Sequence, residues 1–300
     1  SFQAGLMYFM EQVIKQYLEW KGTYAHRASI NYKIWLHRFI EVCGSKSLEQ
    51  YSVTDIVVYR NWLEHHYGSY SVQFAMVVIK NFFQFCLTQG HKCLQPSLIR
   101  HPRIQAKSHR AITETEYLKI ISKTSTNDFA SLRNTLIIRL LWDTGVRVSE
   151  LANLDVTQID EQKSSAVIST KKTGNKRIIL WSIETNALLL KYLSIRMELP
   201  SHNRSNALFV GWSLGSGWSI RLTSRSMQRI IKESVHHAGI KEKITPHSFR
   251  HGWAHKRRNQ NAPLAFIQKG LGHLNPVSTF IYQQYNDQDF EHSARKYLKV

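Results

Sequence analysis

The feature that most constrains this chain is a break in its pattern. From Gln95 to Arg110 the sequence carries Pro96, Pro102 and five basic or imidazole side chains between His101 and Arg110. Proline fixes φ and removes a backbone donor, and clustered charge resists burial, so such a stretch reads as an exposed basic linker. The chain therefore has to fold as two units, residues 1–95 and 112–300, joined by residues 96–111. The 300 residues are enough for each unit to bury its own core. The first residue is Ser1 rather than methionine, so further sequence is expected ahead of it.

The first unit reads as helices. Leu6, Met7, Phe9, Met10, Val13, Ile14, Tyr17 and Leu18 recur with the period of one apolar helical face. Similar runs cover Tyr32 to Val42, Ile56 to Leu63 and Val72 to Leu87, with Gly44, Gly68 and Gly90 where helices should stop. Four or five such helices make a small bundle. In the second unit Thr113 and Glu116 form a capping-box signal, and an apolar helix from Leu132 to Trp142 ends at Gly145. The runs Ala166–Thr170 and Arg177–Trp181 flank Lys171-Lys172-Thr173-Gly174-Asn175-Lys176 and predict a β-hairpin. Helices resume near Thr185–Ser194 and Ser226–Ala238. The fold class is mainly α with a small antiparallel β-sheet in the C-terminal half.

Charge narrows the partners. Forty Lys and Arg against 21 Asp and Glu leave a net charge of +19. A polyanion suits this best, because Lys and Arg release condensed counterions when they meet phosphates. A membrane surface is the competitor, but no apolar run is read as approaching the ~20 residues that span a bilayer, and no signal peptide opens the chain. Cys43, Cys86 and Cys93 lack zinc-like spacing and suit a reducing cytosol. The adjacent pairs His65-His66 and His236-His237 point to different sides of a helix, so no metal site is expected.

Six side chains of the second unit could act together. Arg147 follows the Gly145 break at the start of a short helix, where its guanidinium fork could hold two phosphate oxygens. Glu150, three residues on, shares its helical face. His247 and Arg250 are also three apart, just after Thr245 as N-cap and Pro246 as first helical residue, and helix N-termini favour phosphate. Lys172 stands where the hairpin turn begins. His273 closes Leu271-Gly272-His273, and Asn275 with Pro276 opens a helix bearing Tyr282 almost two turns in. Singly, each has a bland reading: a loop arginine is usually a surface ion pair, and a tyrosine a core residue.

As a set, in this order, they carry more. Thr144-Gly145-Val146-Arg147-Val148-Ser149-Glu150-Leu151, Thr245-Pro246-His247-Ser248-Phe249-Arg250-His251, and Leu271-Gly272-His273 through Ser278-Thr279-Phe280-Ile281-Tyr282 resemble the active site of the tyrosine recombinases. The last stretch is most similar to the Xer and phage-integrase branch. The resemblance covers residue 110 onward; the first unit matches only in kind, as a helical, basic DNA-clamping domain.

The resemblance implies a C-shaped two-domain clamp that cuts and rejoins double-stranded DNA at specific recombination sites. It acts through a 3′-phosphotyrosine intermediate and a Holliday junction, with no metal, ATP or other cofactor. It also assigns roles. Tyr282 attacks, Arg147 and Arg250 clamp the phosphate, and His247 relays the proton. His273 donates a hydrogen bond to the phosphate, Lys172 protonates the departing 5′-oxygen, and Glu150 supports the site. Lys171 and Lys176 crowd the same turn, and only the Lys-Thr-Gly match favours Lys172. Tyr285 lies too far along to match. Lys107, Arg110, Lys171, Lys176, Arg177, Lys256 and Arg257 are the cations expected to meet DNA. Arg257 and Arg258, next to Lys256, stand where the family usually places aliphatic residues.

A homotetramer on DNA is implied, with accessory DNA-bending proteins as further partners, no membrane, and a cytoplasmic, nucleoid-associated location. Phe290, Ala294, Tyr297 and Leu298 have amphipathic helical spacing; the resemblance implies that such a tail docks on a neighbouring subunit, the alternative being that it packs on its own domain. Three other readings stand beside this one. A type IB topoisomerase or telomere resolvase would share the chemistry. A non-catalytic DNA-binding accessory protein would share the fold, and a metal-dependent nuclease would need clustered carboxylates that this sequence disperses. DNA affinity should fall by roughly 10³-fold or more between about 50 and 200 mM salt. Fluorescence anisotropy checks this, and a flat response would mean that the charge serves another purpose.

Overall fold

The computed structural model describes residues 2–102, 110–169, 176–199, 205–213 and 217–272. The chain divides into two compact units, Ser1–Lys107 and Ser108–Val300.

The first unit is built from α1 (Phe2–Cys43), α2 (Val53–His66) and α3 (Ser69–Thr88). Helical backbone runs throughout α1, yet α1 is not a rod. At ~1.5 Å rise per residue a straight helix would hold Tyr17 and Tyr32 roughly 20 Å apart. Their rings lie 6.0 Å apart, and His37 Nε2 meets Glu11 Oε1 at 3.1 Å. The helix therefore doubles back between Lys21 and Tyr32 into two limbs, where the sequence pattern predicts separate helices. Aromatic rings fill the space between the limbs and α3: Tyr17 is fully buried against Phe82 and Phe85. The Tyr59 hydroxyl donates to the Trp35 carbonyl at 3.0 Å and ties α2 to α1.

Two expectations change here. Ser69–Thr88 is long and apolar enough by length and composition to cross a membrane, contrary to the expectation that no run in the chain is. Its Val72, Met76, Ile79 and Phe83 are buried in the aromatic core, so in this fold it serves as a core helix. The start of the supposed exposed linker also belongs to this unit. Pro96–Leu98 forms a 3-10 turn, Pro96 and Ile99 are buried, and Gln73 donates to the Pro102 carbonyl at 3.1 Å. Burial of those two apolar side chains outweighs the polar character of the segment around them.

In the second unit, α4 (Glu114–Ile121) begins with the predicted box: Glu116 N–H donates to Thr113 Oγ1 and Thr113 N–H to the Glu116 carboxylate. Next, α5 (Phe129–Thr144) is the central helix. Leu132, Leu136, Ile137, Leu140 and Leu141 leave it buried on nearly every side, as a helix without a polar face requires. Gly145 ends it in the left-handed region at φ 60°. The five-residue α6 (Val148–Ala152) follows.

The antiparallel sheet β1 (Ile159–Asp160), β2 (Ser165–Ser169), β3 (Lys176–Leu180) contains the predicted hairpin, in the order β1-β2-β3. The hairpin's turn lies outside the described residues. Then come α7 (Ile183–Glu198), a second antiparallel pair β4 (Val210–Ser213) and β5 (Gly217–Arg221), α8 (Ser224–His237), α9 (Pro246–Asn259) and α10 (Leu264–Leu271). The sequence pattern announces the second sheet only weakly: its strands are short and each carries a glycine, although Trp218-Ser219-Ile220-Arg221 alternates.

Trp253 on α9 holds the functional end of this unit together. Its Nε1 donates to the Asp143 carbonyl at 2.8 Å, and its indole lies flat against two glycines. A Cβ at Gly145 would come within 2.9 Å of the ring, and one at Gly270 within 2.5 Å. Gly270→Ala should therefore destabilise the protein by roughly 1–3 kcal/mol through overpacking. Gly145→Ala should cost at least as much, since left-handed strain adds ~1–2 kcal/mol. Urea unfolding with the midpoint read by tryptophan fluorescence checks both.

Candidate active site

Three separate stretches of sequence meet beside Trp253. The first is the loop from Gly145 to Arg147, released by the left-handed turn that ends α5. The second is the start of α9, where Thr245 is the N-cap and Pro246 the first helical residue, as predicted. The third is the end of α10, where Gly272 is left-handed at φ 63° and sends the chain toward His273.

Arg250 joins all three. It is buried at 4% exposure; Nη1 donates to the Gly145 carbonyl at 2.9 Å and Nη2 to the Leu271 carbonyl at 2.6 Å. Hydrogen bonds from an ionised donor are stronger than neutral ones, and these two hold the Arg147 loop and the Leu271-Gly272 corner at fixed separation. His247, one turn nearer the helix start, is exposed. The shared helical row thus divides its roles: Arg250 faces inward and braces the site, and His247 faces out at the helix N-terminus.

Arg147 is the N-cap of α6 and one-third exposed. Its Nη1 donates to Glu150 Oε1 at 3.0 Å and its backbone N–H to Oε2 at 2.9 Å. Glu150 is buried and accepts a second arginine in bidentate fashion, Arg177 Nη1 on Oε1 at 3.0 Å and Nη2 on Oε2 at 2.7 Å. Burial pushes the Glu150 carboxyl upward, but the bonds and charge of Arg177, with those of Arg147, hold it below the ordinary 4.5. Two guanidiniums on one carboxylate leave the cluster with a net positive charge, which suits an anion.

Arg177, one of the cations expected to meet DNA, is buried, and its Nε donates to the Gly270 carbonyl at 3.0 Å. The reason is strand alternation: β3 turns Arg177 and Ile179 inward and Lys176, Ile178 and Leu180 outward. That period of two is legible in the sequence, but with apolar residues on both faces it does not say which face is buried. Arg110, also in that group, pairs with Glu116. Lys256 bonds Glu114 and lies over the Trp142 ring, and Arg257 lies over Trp253. Lys176 is exposed. Lys107, Lys171, Lys172, His273, Tyr282, Tyr285 and the tail carrying Phe290 to Leu298 lie outside the described residues.

Residues 110–289, more than half of the chain, match the phage integrase family. The chain is 28% identical over 276 residues to the tyrosine recombinase XerC of Anoxybacillus flavithermus, covering 89% of this chain and 90% of that one. It shares its fold with the XerH site-specific recombinase bound to palindromic difH substrate, at TM-score 0.76 and 18% identity over 94% of this chain and 83% of that one. A lambda integrase tetramer bound to a Holliday junction superposes at TM-score 0.71 and 18% identity, covering 89% and 78%. The chain belongs to the phage integrase family: it is a tyrosine site-specific recombinase, an enzyme that breaks and rejoins DNA.

Glu150→Gln should cost roughly 3–5 kcal/mol at neutral pH, because it leaves the buried Arg177 without its counter-charge. The carboxyl's folded pKa is depressed, so its contribution is present above the unfolded value and lost as pH falls through the folded one. The stability gap between wild type and variant should therefore be constant near pH 7 and close below about pH 4.5. Unfolding curves at several pH values measure it; a gap that widens in acid would contradict the assignment.

Proposed function

We propose that Tyr282 is the nucleophile of this recombinase and that Arg147, Arg250, His247, His273 and Lys172 serve its reaction. Phosphodiester cleavage is slow because the anionic centre repels nucleophiles and the alkoxide leaves poorly. An enzyme supplies on the order of 8–23 kcal/mol of transition-state stabilisation. Fixed positive charge, proton transfer and placement of the nucleophile provide it.

In this scheme the Tyr282 oxygen forms a bond to the scissile phosphorus as the bond to the 5′-oxygen breaks. The phenol proton, with an unperturbed pKa near ~10, passes toward His247. An imidazole near ~6.5 suits that traffic at neutral pH. Lys172 delivers a proton to the departing 5′-oxygen. Arg147 and Arg250 neutralise the non-bridging oxygens, and His273 donates to the same phosphate. The products are a 3′-phosphotyrosine and a free 5′-hydroxyl, and a 5′-hydroxyl from the partner duplex reverses the step with bond energy conserved. The observation that supports this reading best is the pair of Arg250 bonds to the Gly145 and Leu271 carbonyls, because they converge the motif-bearing segments on one point.

On the same reading four copies hold two duplexes through a Holliday junction, and the amphipathic tail docks on a neighbouring subunit. The enzyme then works in the cytoplasm, on the nucleoid. Specific sites follow from base contacts that phosphate clamping does not supply. The test uses a duplex selected by binding from a random-sequence pool, then nicked at successive positions. Denaturing gels should show a covalent protein–DNA adduct that persists in excess EDTA, survives Tyr285→Phe and disappears in Tyr282→Phe. An adduct that persists in Tyr282→Phe would remove the nucleophile.

A further inference from the structure

We infer that Arg177 is a positioning residue for strand cleavage: its guanidinium couples the hairpin that carries Lys172 to the Arg147 loop and to the corner that leads into His273. The inference rests on reading Arg147 as a phosphate clamp.

The geometry is a chain of fixed contacts. Arg177 occupies the second position of β3, one residue into the strand that leaves the hairpin turn. Its Nη1 and Nη2 form two parallel bonds to Glu150, at 3.0 and 2.7 Å, and the same carboxylate holds both the guanidinium and the backbone N–H of Arg147. A fork on a carboxylate fixes an angle as well as a distance, which a point charge does not. The third donor, Nε, bonds the Gly270 carbonyl at 3.0 Å. Beyond it the guanidinium lies flush on the backbone of Gly272, where an added Cβ would sit 2.7 Å from Nη1. One buried side chain thus touches all three of the β3 strand, the Glu150–Arg147 pair and the end of α10. It is 9% exposed and its three kinds of guanidinium nitrogen are all engaged, on Glu150 and on the Gly270 carbonyl. A misplacement of about 1 Å at a reacting group can cost on the order of 10²-fold in rate.

The experiment uses the full chain and duplexes selected from the random pool and nicked in the same way. Four proteins are compared with wild type: Arg177→Gln, Arg177→Lys, Arg147→Ala and the double variant Arg147→Ala/Arg177→Gln. Thermal unfolding establishes the folded fraction of each, and Arg177→Lys carries the measurement if Arg177→Gln does not fold. Dissociation constants at several salt concentrations and single-turnover adduct rates are then measured separately.

We expect Arg177→Gln to bind DNA within about 3-fold of wild type with an unchanged salt slope, and to form adduct roughly 30-fold or more slowly per folded molecule. Arg177→Lys should recover only part of that rate, since it keeps the charge and loses the fork. Adding Arg177→Gln to Arg147→Ala should cost little more, because both remove one coupled function. A wild-type adduct rate per folded Arg177→Gln molecule would reduce Arg177 to a structural role and overturn the inference. So would weakened binding with a salt slope lower by about 1, the mark of a phosphate contact, or penalties that multiply in the double variant. Should Arg147→Ala alone cleave normally, the clamp reading fails, and that arm separates its failure from a failure of Arg177.

Discussion

Glu150 carries two arginines on one buried carboxylate, and the functional end of the second unit is arranged around it. Taking two charges out of water costs several kcal/mol per ion, and Coulomb attraction returns that only when geometry is good. Here every oxygen is committed: Oε1 accepts from Arg147 and Arg177, and Oε2 accepts from Arg177 and the Arg147 backbone. A saturated carboxylate of this kind gives little net stability over an apolar pair of equal volume. What it does confer is direction, since each bond has a preferred angle and none can rotate alone. On the proposed reading of Arg147 as a phosphate clamp, that direction matters more than stability.

The apolar packing around this charge cluster serves the same end. Trp253 fills the space between the Gly145 turn and the end of α10, closely enough that neither Gly145 nor Gly270 has room for a side chain. Arg250 then crosses the same gap with its two carbonyl bonds. Segments more than a hundred residues apart in sequence are held by one indole and one guanidinium. Close-packed interiors have few alternative arrangements, so the loops inherit the rigidity of α5 and α9.

Much of this is legible in the sequence. The Thr113 and Thr245 caps, the Gly145 stop and the β2–β3 hairpin all rest on short-range chemistry. A cap, a turn and a helix end each depend on residues within four or five positions of one another. Other features escape the sequence for physical reasons. The first helix of the bundle doubles back without a proline to announce it. The β4–β5 strands are too short, and each carries a glycine, for their pattern to stand out. The start of the linker is buried because Pro96 and Ile99 find an apolar surface that only the folded bundle provides.

Arg177 draws the boundary most clearly. In the run Lys176-Arg177-Ile178-Ile179-Leu180 the sequence determined that a strand would form and that side chains would alternate between faces, because period two is a property of extended backbone. It did not determine which face would be buried: apolar side chains occupy both, and a shift of one residue in pairing exchanges them. Tertiary structure decided that. Pairing of Ile168 with Arg177 turned the arginine inward, where Glu150 and the Gly270 carbonyl could satisfy a charge that the interior would otherwise have refused.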